Sequence, residues 1–127
     1  MKILLTGVNG QLGKTIALTK PDHINLIQIS RKELDFEKTE DCFDLISSIK
    51  PEWVINAAAY TQVDLAENNI NRAYKINYEA PKQFAKALAL YGGNLLQIST
   101  DFVFDGRKKT PYKPTDKINP INVYGES

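Results

Sequence analysis

Three glycines at three-residue intervals, Gly7, Gly10 and Gly13, directly follow the apolar run Ile3-Leu4-Leu5 near the start of the chain. No other stretch restricts the fold as much. The segment KILLT, residues 2–6, is too short for a helix and apolar enough for a strand buried on both faces. Beyond it, Leu12, Ile16 and Ala17 recur at helical spacing, and Pro21 follows soon after. The glycines therefore fall in a strand-to-helix turn. A bare backbone there turns sharply and admits a close neighbour, while the opening helix offers free N–H groups and a positive dipole end. Such a turn suits the diphosphate of a dinucleotide, with Gly7, Gly10 and Gly13 around it. A plain strand-to-helix turn would need the same glycines.

The remaining chain repeats the alternation. INLIQIS (24–30) reads as a second strand, and ELDF (33–36) as a short third one. Thr39 opens a helix to about Lys50, whose Cys42, Leu45, Ile46 and Ile49 share a face, with Pro51 beyond it. WVINAAA (53–59) is a buried strand and its exit loop. Residues 64–91 read as mostly helical, interrupted at Pro81 and ended by Gly92-Gly93. NLLQIST (94–100) is the last strand. Residues 101–127 carry Pro111, Pro114 and Pro120 and no period, so they read as loop. Alternating strands and helices predict an α/β fold with a Rossmann-like, doubly wound parallel sheet. The expected division is a dinucleotide-binding domain over 1–100 and an active-site loop over 101–127.

Composition narrows the function. A net charge of +1 gives no reason to expect a nucleic acid or an acidic membrane as partner. The single cysteine, Cys42, forms no internal disulfide, and no apolar run approaches the ~20 residues of a membrane span. These features predict a cytoplasmic protein. One histidine, His23, lies before the second strand, so a Ser-His-Asp or Cys-His scheme lacks its base. No cysteine–histidine spacing suits zinc. Lys14-Thr15 follows Gly13 as in a phosphate-binding P-loop, yet that loop needs a glycine where Val8 stands.

Ligands of open parallel sheets bind at the carboxyl ends of the strands. The second strand ends in Ser30-Arg31-Lys32 rather than a carboxylate, so Arg31 can pair with a 2′-phosphate, which favours NADPH over NADH. A solvated loop charge is the other reading of Arg31. Asp35 and Phe36 can meet an adenine. Ala57-Ala58-Ala59 lets a cofactor approach closely or packs on a helix. At the end of the last strand, the Ser99 or Thr100 hydroxyl can donate to a carbonyl oxygen, with Asp101 beside it. Tyr124 can reach the same crevice, although a free phenol with pKa near ~10 is a poor acid–base group unless a cation lowers it.

Four segments, ILLTGVNGQLG, KPEWVINAAAYTQVDLAE, STDFVFDG and NPINVYGES, together resemble the extended short-chain dehydrogenase/reductases, in that family's order and spacing. They are most similar to its branch that reduces dTDP-linked 4-keto-6-deoxy sugars. The resemblance implies hydride transfer from NADPH, or NADH, to the C4 ketone of a dTDP-linked keto sugar. Tyr124 would then be the proton donor, and Thr100 and Asp101 would contact the substrate. Gly10, Gln11 and Leu12 would lie on the pyrophosphate, Asp35 and Phe36 near adenine, Ala59, Tyr60 and Thr61 along the cofactor, and Ile98 by the nicotinamide. Some members hold a metal through a glutamate where this chain has Thr15, so no metal is expected.

The family's lysine would directly follow Ser127. The resemblance therefore implies an N-terminal portion of a longer enzyme, inactive by itself, with its last strand left as an open edge that favours self-association. A non-catalytic NADP-binding regulatory subunit and a nucleotide-sugar epimerase are the alternatives, and STDFVFDG argues against the second. The identity of the sugar and base is not encoded in these residues.

Overall fold

The computed structural model describes residues 1–127. Four parallel strands, β1 (Lys2–Thr6), β2 (Asn25–Ile29), β3 (Trp53–Asn56) and β4 (Asn94–Gln97), form one sheet in the order β2-β1-β3-β4. Helix α1 (Gln11–Thr19) connects β1 to β2, and α2 (Thr39–Ile49) connects β2 to β3. Between β3 and β4 run α3 (Val63–Ala66), α4 (Ile70–Tyr74), a π-helical turn (Lys75–Glu79) and α5 (Ala80–Ala89). The Rossmann-like architecture read from the alternation is present.

One face of the sheet carries Leu4, Ile27, Val54 and Leu95 at one register level. Helices α2 and α5 cover it, and Leu4, Ile46, Val54, Cys42, Phe84, Ala87 and Leu88 form a closed core between them. Burying a side chain the size of Phe84 contributes about 2–3 kcal/mol. Its ring meets Phe36 edge-on at 5.2 Å, which ties the β2–α2 connection to α5. On the opposite face Leu5 is fully buried, whereas Trp53 of β3 and Leu96 of β4 are exposed.

Local chemistry sets the helix ends. Glu40 and Asp41 place negative charge in the first turn of α2, where the dipole favours it. Lys50 stops α2 in the left-handed conformation at φ 48°, its N–H donating to Ile46 O. Pro81 lies just past the π-helical turn within one continuous helical stretch, where its missing N–H interrupts the α-helical hydrogen-bond ladder.

Three details differ from the sequence reading. ELDF forms no strand: the N–H groups of Glu33 and Leu34 donate to Ser30 O, making a turn. Leu34 and Phe36 are apolar because both plug the core, not because they alternate in a sheet. The last strand ends at Gln97, three residues before Thr100. The segment after it is organised, with a 3-10 turn at Asp101–Val103 and a one-turn helix α6 at Val123–Glu126. Asp105 anchors the stretch between them by accepting from Arg107 N, Tyr112 Oη and Asn119 Nδ2. These donors, the Arg107 N–H foremost, hold its carboxyl below the usual carboxylate range.

Candidate functional site

Along the carboxyl ends of the strands, two cavities meet at the glycine turn. The smaller, about 190 Å³, lies over β2 and is lined by Gly7, Gly10, Ser30, Arg31, Asp35, Phe36, Ala59 and Tyr60 among others. The larger, about 830 Å³, lies over β4 and includes Gly10, Gln11, Leu12, Ala59, Thr61, Ile98, Thr100 and Tyr124. Gly7, Gly10, Ala58 and Ala59 line both. The result is one crevice with a narrow and a wide end.

The glycines have different duties. Gly7 takes φ +71°, and a side chain there would run into the Ala57 carbonyl. Gly13 packs its Cα against the Gly7 carbonyl, with no room for a methyl group. It lines neither cavity. Gly10 is the exception: its backbone is extended (φ −79°, ψ 171°), and an added Cβ would meet only Gly7 O, at 3.3 Å. The fold itself does not demand glycine at this position. Gly10 also caps α1 without a side chain, and no acidic residue occupies the first turn. The N–H groups of Gln11 and Leu12 therefore lack intrahelical acceptors at the junction of the two cavities. A bare backbone, free donors and a positive helix end fit a dinucleotide diphosphate.

A buried polar chain fixes the strand ends. Thr6 Oγ1 donates to Asn56 Oδ1, which also accepts from Ala58 N at 3.2 Å. Asn56 Nδ2 donates to Gln97 Oε1 at 2.8 Å, and Gln97 Nε2 donates to Ile98 O at 2.9 Å. Three strands are thereby locked where the cavities begin. Asn77 plays a similar part from the π turn. Its Oδ1 accepts from Tyr60 N at 2.8 Å, while its Nδ2 donates to Tyr60 O at 3.1 Å and to Ser127 Oγ at 3.0 Å. Departures from α geometry often mark functional positions. Here the wide turn aims one amide at both the loop after β3 and the end of α6. Neither Asn56 nor Asn77 was singled out from sequence. The signal was present in each case, as an asparagine closing a buried strand and another within an apolar helical stripe.

Tyr124 sits in the first turn of α6. Glu67 Oε1 accepts from Val123 N at 2.9 Å, Asn122 Oδ1 accepts from Gly125 N at 2.7 Å, and the Tyr124 ring meets Phe102 edge-on at 5.4 Å. Thr100 lines the same cavity. Its Oγ1 accepts from Phe102 N at 3.2 Å and approaches Asp101 Oδ1 at 3.4 Å, a weak partner that a substrate oxygen can replace. Asp101 itself is exposed and outside the lining of both cavities.

At the narrow end, the fold adds a group the linear reading did not place there. Glu33 turns back so that its Oε2 accepts from Ser30 N at 2.7 Å, and this bond holds its carboxyl below the usual range. The end of β2 thus has a carboxylate close by, though Glu33 does not line the cavity. His23 lies at the opposite, amino end of β2, away from Ser99 and Thr100.

Compared with known proteins, the whole chain, residues 1–127, matches the RmlD substrate binding domain family. It is 41% identical over 128 residues to dTDP-4-dehydrorhamnose reductase of Aggregatibacter actinomycetemcomitans, covering 99% of this chain and 44% of that protein. A crystal structure of a dTDP-4-dehydrorhamnose reductase from Clostridium acetobutylicum superposes with a TM-score of 0.93 at 42% identity, over 99% of this chain and 45% of that one. The Bacillus anthracis reductase in complex with NADP gives 0.91 at 36% identity, over 98% of this chain and 45% of that one. The chain thus spans less than half the length of the relatives it matches.

Proposed function

The chain belongs to the RmlD substrate binding domain family, and on that premise we propose that it is the cofactor-binding part of an NADPH-dependent reductase acting on a dTDP-linked 4-keto-6-deoxy sugar. The observation that carries this reading is the continuous crevice. It runs from the smaller cavity over β2, across the bare backbone at Gly10, to a wider cavity holding Thr100 and Tyr124.

In this reading, Ser30, Arg31, Asp35 and Phe36 hold the adenosine, and the Gln11 and Leu12 N–H groups hold the diphosphate. Ala59, Thr61 and Ile98 line the path to the reacting end. The bound nicotinamide supplies a hydride to the ketone carbon. Tyr124 supplies the proton to the oxygen, and the Thr100 hydroxyl orients that oxygen. Proton loss leaves a tyrosinate that needs a nearby cation, the place the family resemblance gives to a lysine directly after Ser127. Because the chain spans under half the length of its relatives, turnover by these 127 residues alone is expected to be absent. The open outer edge of β4 is expected to promote self-association, measurable by sedimentation.

Calorimetric titration with NADPH and NADH tests the core of the proposal, and binding of neither would end it. Arg31→Ala should weaken NADPH more than NADH. Oxidation of NADPH by the 127-residue chain at an ordinary enzymatic rate with the keto-sugar nucleotide would refute the expectation of inactivity.

A further inference from the structure

We infer that Arg31 and Arg72 together form a two-guanidinium seat for the 2′-phosphate of the cofactor, with Glu37 as the anion that occupies it between binding events. The inference rests on the cofactor reading above and adds two residues to it. Arg72 comes from α4, 35 positions along the chain from Glu37. Its Nε and Nη2 both approach Glu37 Oε1 at 2.9 Å, and Arg31 Nη2 donates to the same oxygen at 3.0 Å. Two guanidinium groups from distant parts of the chain thus converge on one anionic oxygen. Of these groups Arg31 lines the smaller cavity, while Arg72 and Glu37 stand outside its lining, with Arg72 5.8 Å from the ring centroid of Tyr60, another lining residue.

The arrangement is poorly explained as a structural clamp. The side chains of Arg31, Arg72 and Glu37 are 66%, 41% and 35% exposed, and ion pairs so exposed hold a fold weakly. All the guanidinium contacts crowd onto Oε1, while Asp35 Oδ1 stands farther from Arg31 Nε, at 4.0 Å. A phosphate carries three acceptor oxygens and a second charge, so each arginine could take its own acceptor with fork geometry. Between binding events Glu37 neutralises part of this paired positive charge, and the phosphate must displace it. Displaced, its carboxylate is free to turn to solvent.

The test is titration of the protein and two variants with NADPH, NADH, adenosine 2′,5′-bisphosphate and 5′-AMP, with thermal unfolding as a check on folding. Arg72→Ala should weaken NADPH and the bisphosphate about tenfold, and NADH and 5′-AMP less than twofold. Glu37→Gln removes the competing charge, so NADPH should bind as tightly as before or more tightly. Equal losses for both cofactors in Arg72→Ala, no loss for either, or tenfold weaker NADPH binding in Glu37→Gln would each overturn the arginine seat while leaving the cofactor reading intact. Failure of the unsubstituted protein to bind any of the four ligands would overturn both.

Discussion

Replacing Gly10 and Gly13 separately with alanine should separate the chemistry of the crevice from the stability of the fold. At Gly10 the backbone is extended, a conformation alanine adopts freely, and the only near neighbour of the new methyl is Gly7 O at 3.3 Å. Restricting the unfolded chain contributes about 0.4–1 kcal/mol. A few tenths of that are lost to the tight contact, so the stability of Gly10→Ala should stay within about 0.5 kcal/mol of the parent. Gly10 lines both cavities next to Gln11 and Leu12, so in the proposed reading the added methyl narrows the approach of the diphosphate to their N–H groups. Losing one charge-assisted hydrogen bond costs about 2 kcal/mol, or roughly 30-fold in affinity. Gly13→Ala has the opposite profile, because its methyl meets the Gly7 backbone with no flexible side chain to yield. Overpacking of about 2 kcal/mol in a domain of this size lowers the melting temperature by roughly 6–12 °C. Urea unfolding and calorimetric titration with NADPH read the two quantities independently. A well-folded Gly10→Ala protein that binds NADPH as tightly as the parent would refute the placement of the diphosphate.

Other residues give equally direct expectations. Asn77→Ala leaves the Tyr60 N–H and carbonyl without their partner, so it should cost about 2 kcal/mol by urea unfolding. A loss below a few tenths would show that water replaces the amide at no cost. Lys50→Gly removes the strain of a left-handed lysine and should raise stability by about 1 kcal/mol, with no change in nucleotide binding. Cys42 is fully buried, and burial, with Asp41 and Asp35 adding, pushes its thiol up from 9.0 to about 12. Folding thus favours the neutral thiol, whose contribution is complete below pH 9 and is lost as pH rises toward 12. The stability of Cys42→Ala should therefore fall less steeply than that of the parent across this window, and in the parent Ellman's reagent should react only at the rate of unfolding.

The elements read well from sequence are those whose own residues specify them. β1 and β3 are short apolar runs because parallel strands are buried on both faces, and α2 shows one clean stripe because one face meets the core. What escaped the reading depends on contacts between distant residues. Leu34 and Phe36 alternate like a strand, yet the turn closed on Ser30 O carries them into the core instead of along the open edge of β2. The segment 101–121 shows no period because Asp105 and its donors Arg107 N, Tyr112 Oη and Asn119 Nδ2 shape it, not a repeating face. The site followed the same division. The glycine turn, the polar end of β4 and Tyr124 were legible as local motifs, whereas Asn77, Glu67 and the Arg72–Glu37 pair acquire meaning only after the chain closes on itself.

The wide turn at Lys75–Glu79 changes what one rod can do. An unbroken α-helix carries a single apolar stripe, but the extra residue in this turn advances the angular phase by about 100°. Upstream, Ala73 seals against Tyr60 and Ala66; downstream, Phe84, Ala87 and Leu88 seal against the sheet and α2. One continuous cylinder thus serves two seams set at different azimuths. Deleting a single residue from the turn would rewind it and leave one seam unserved.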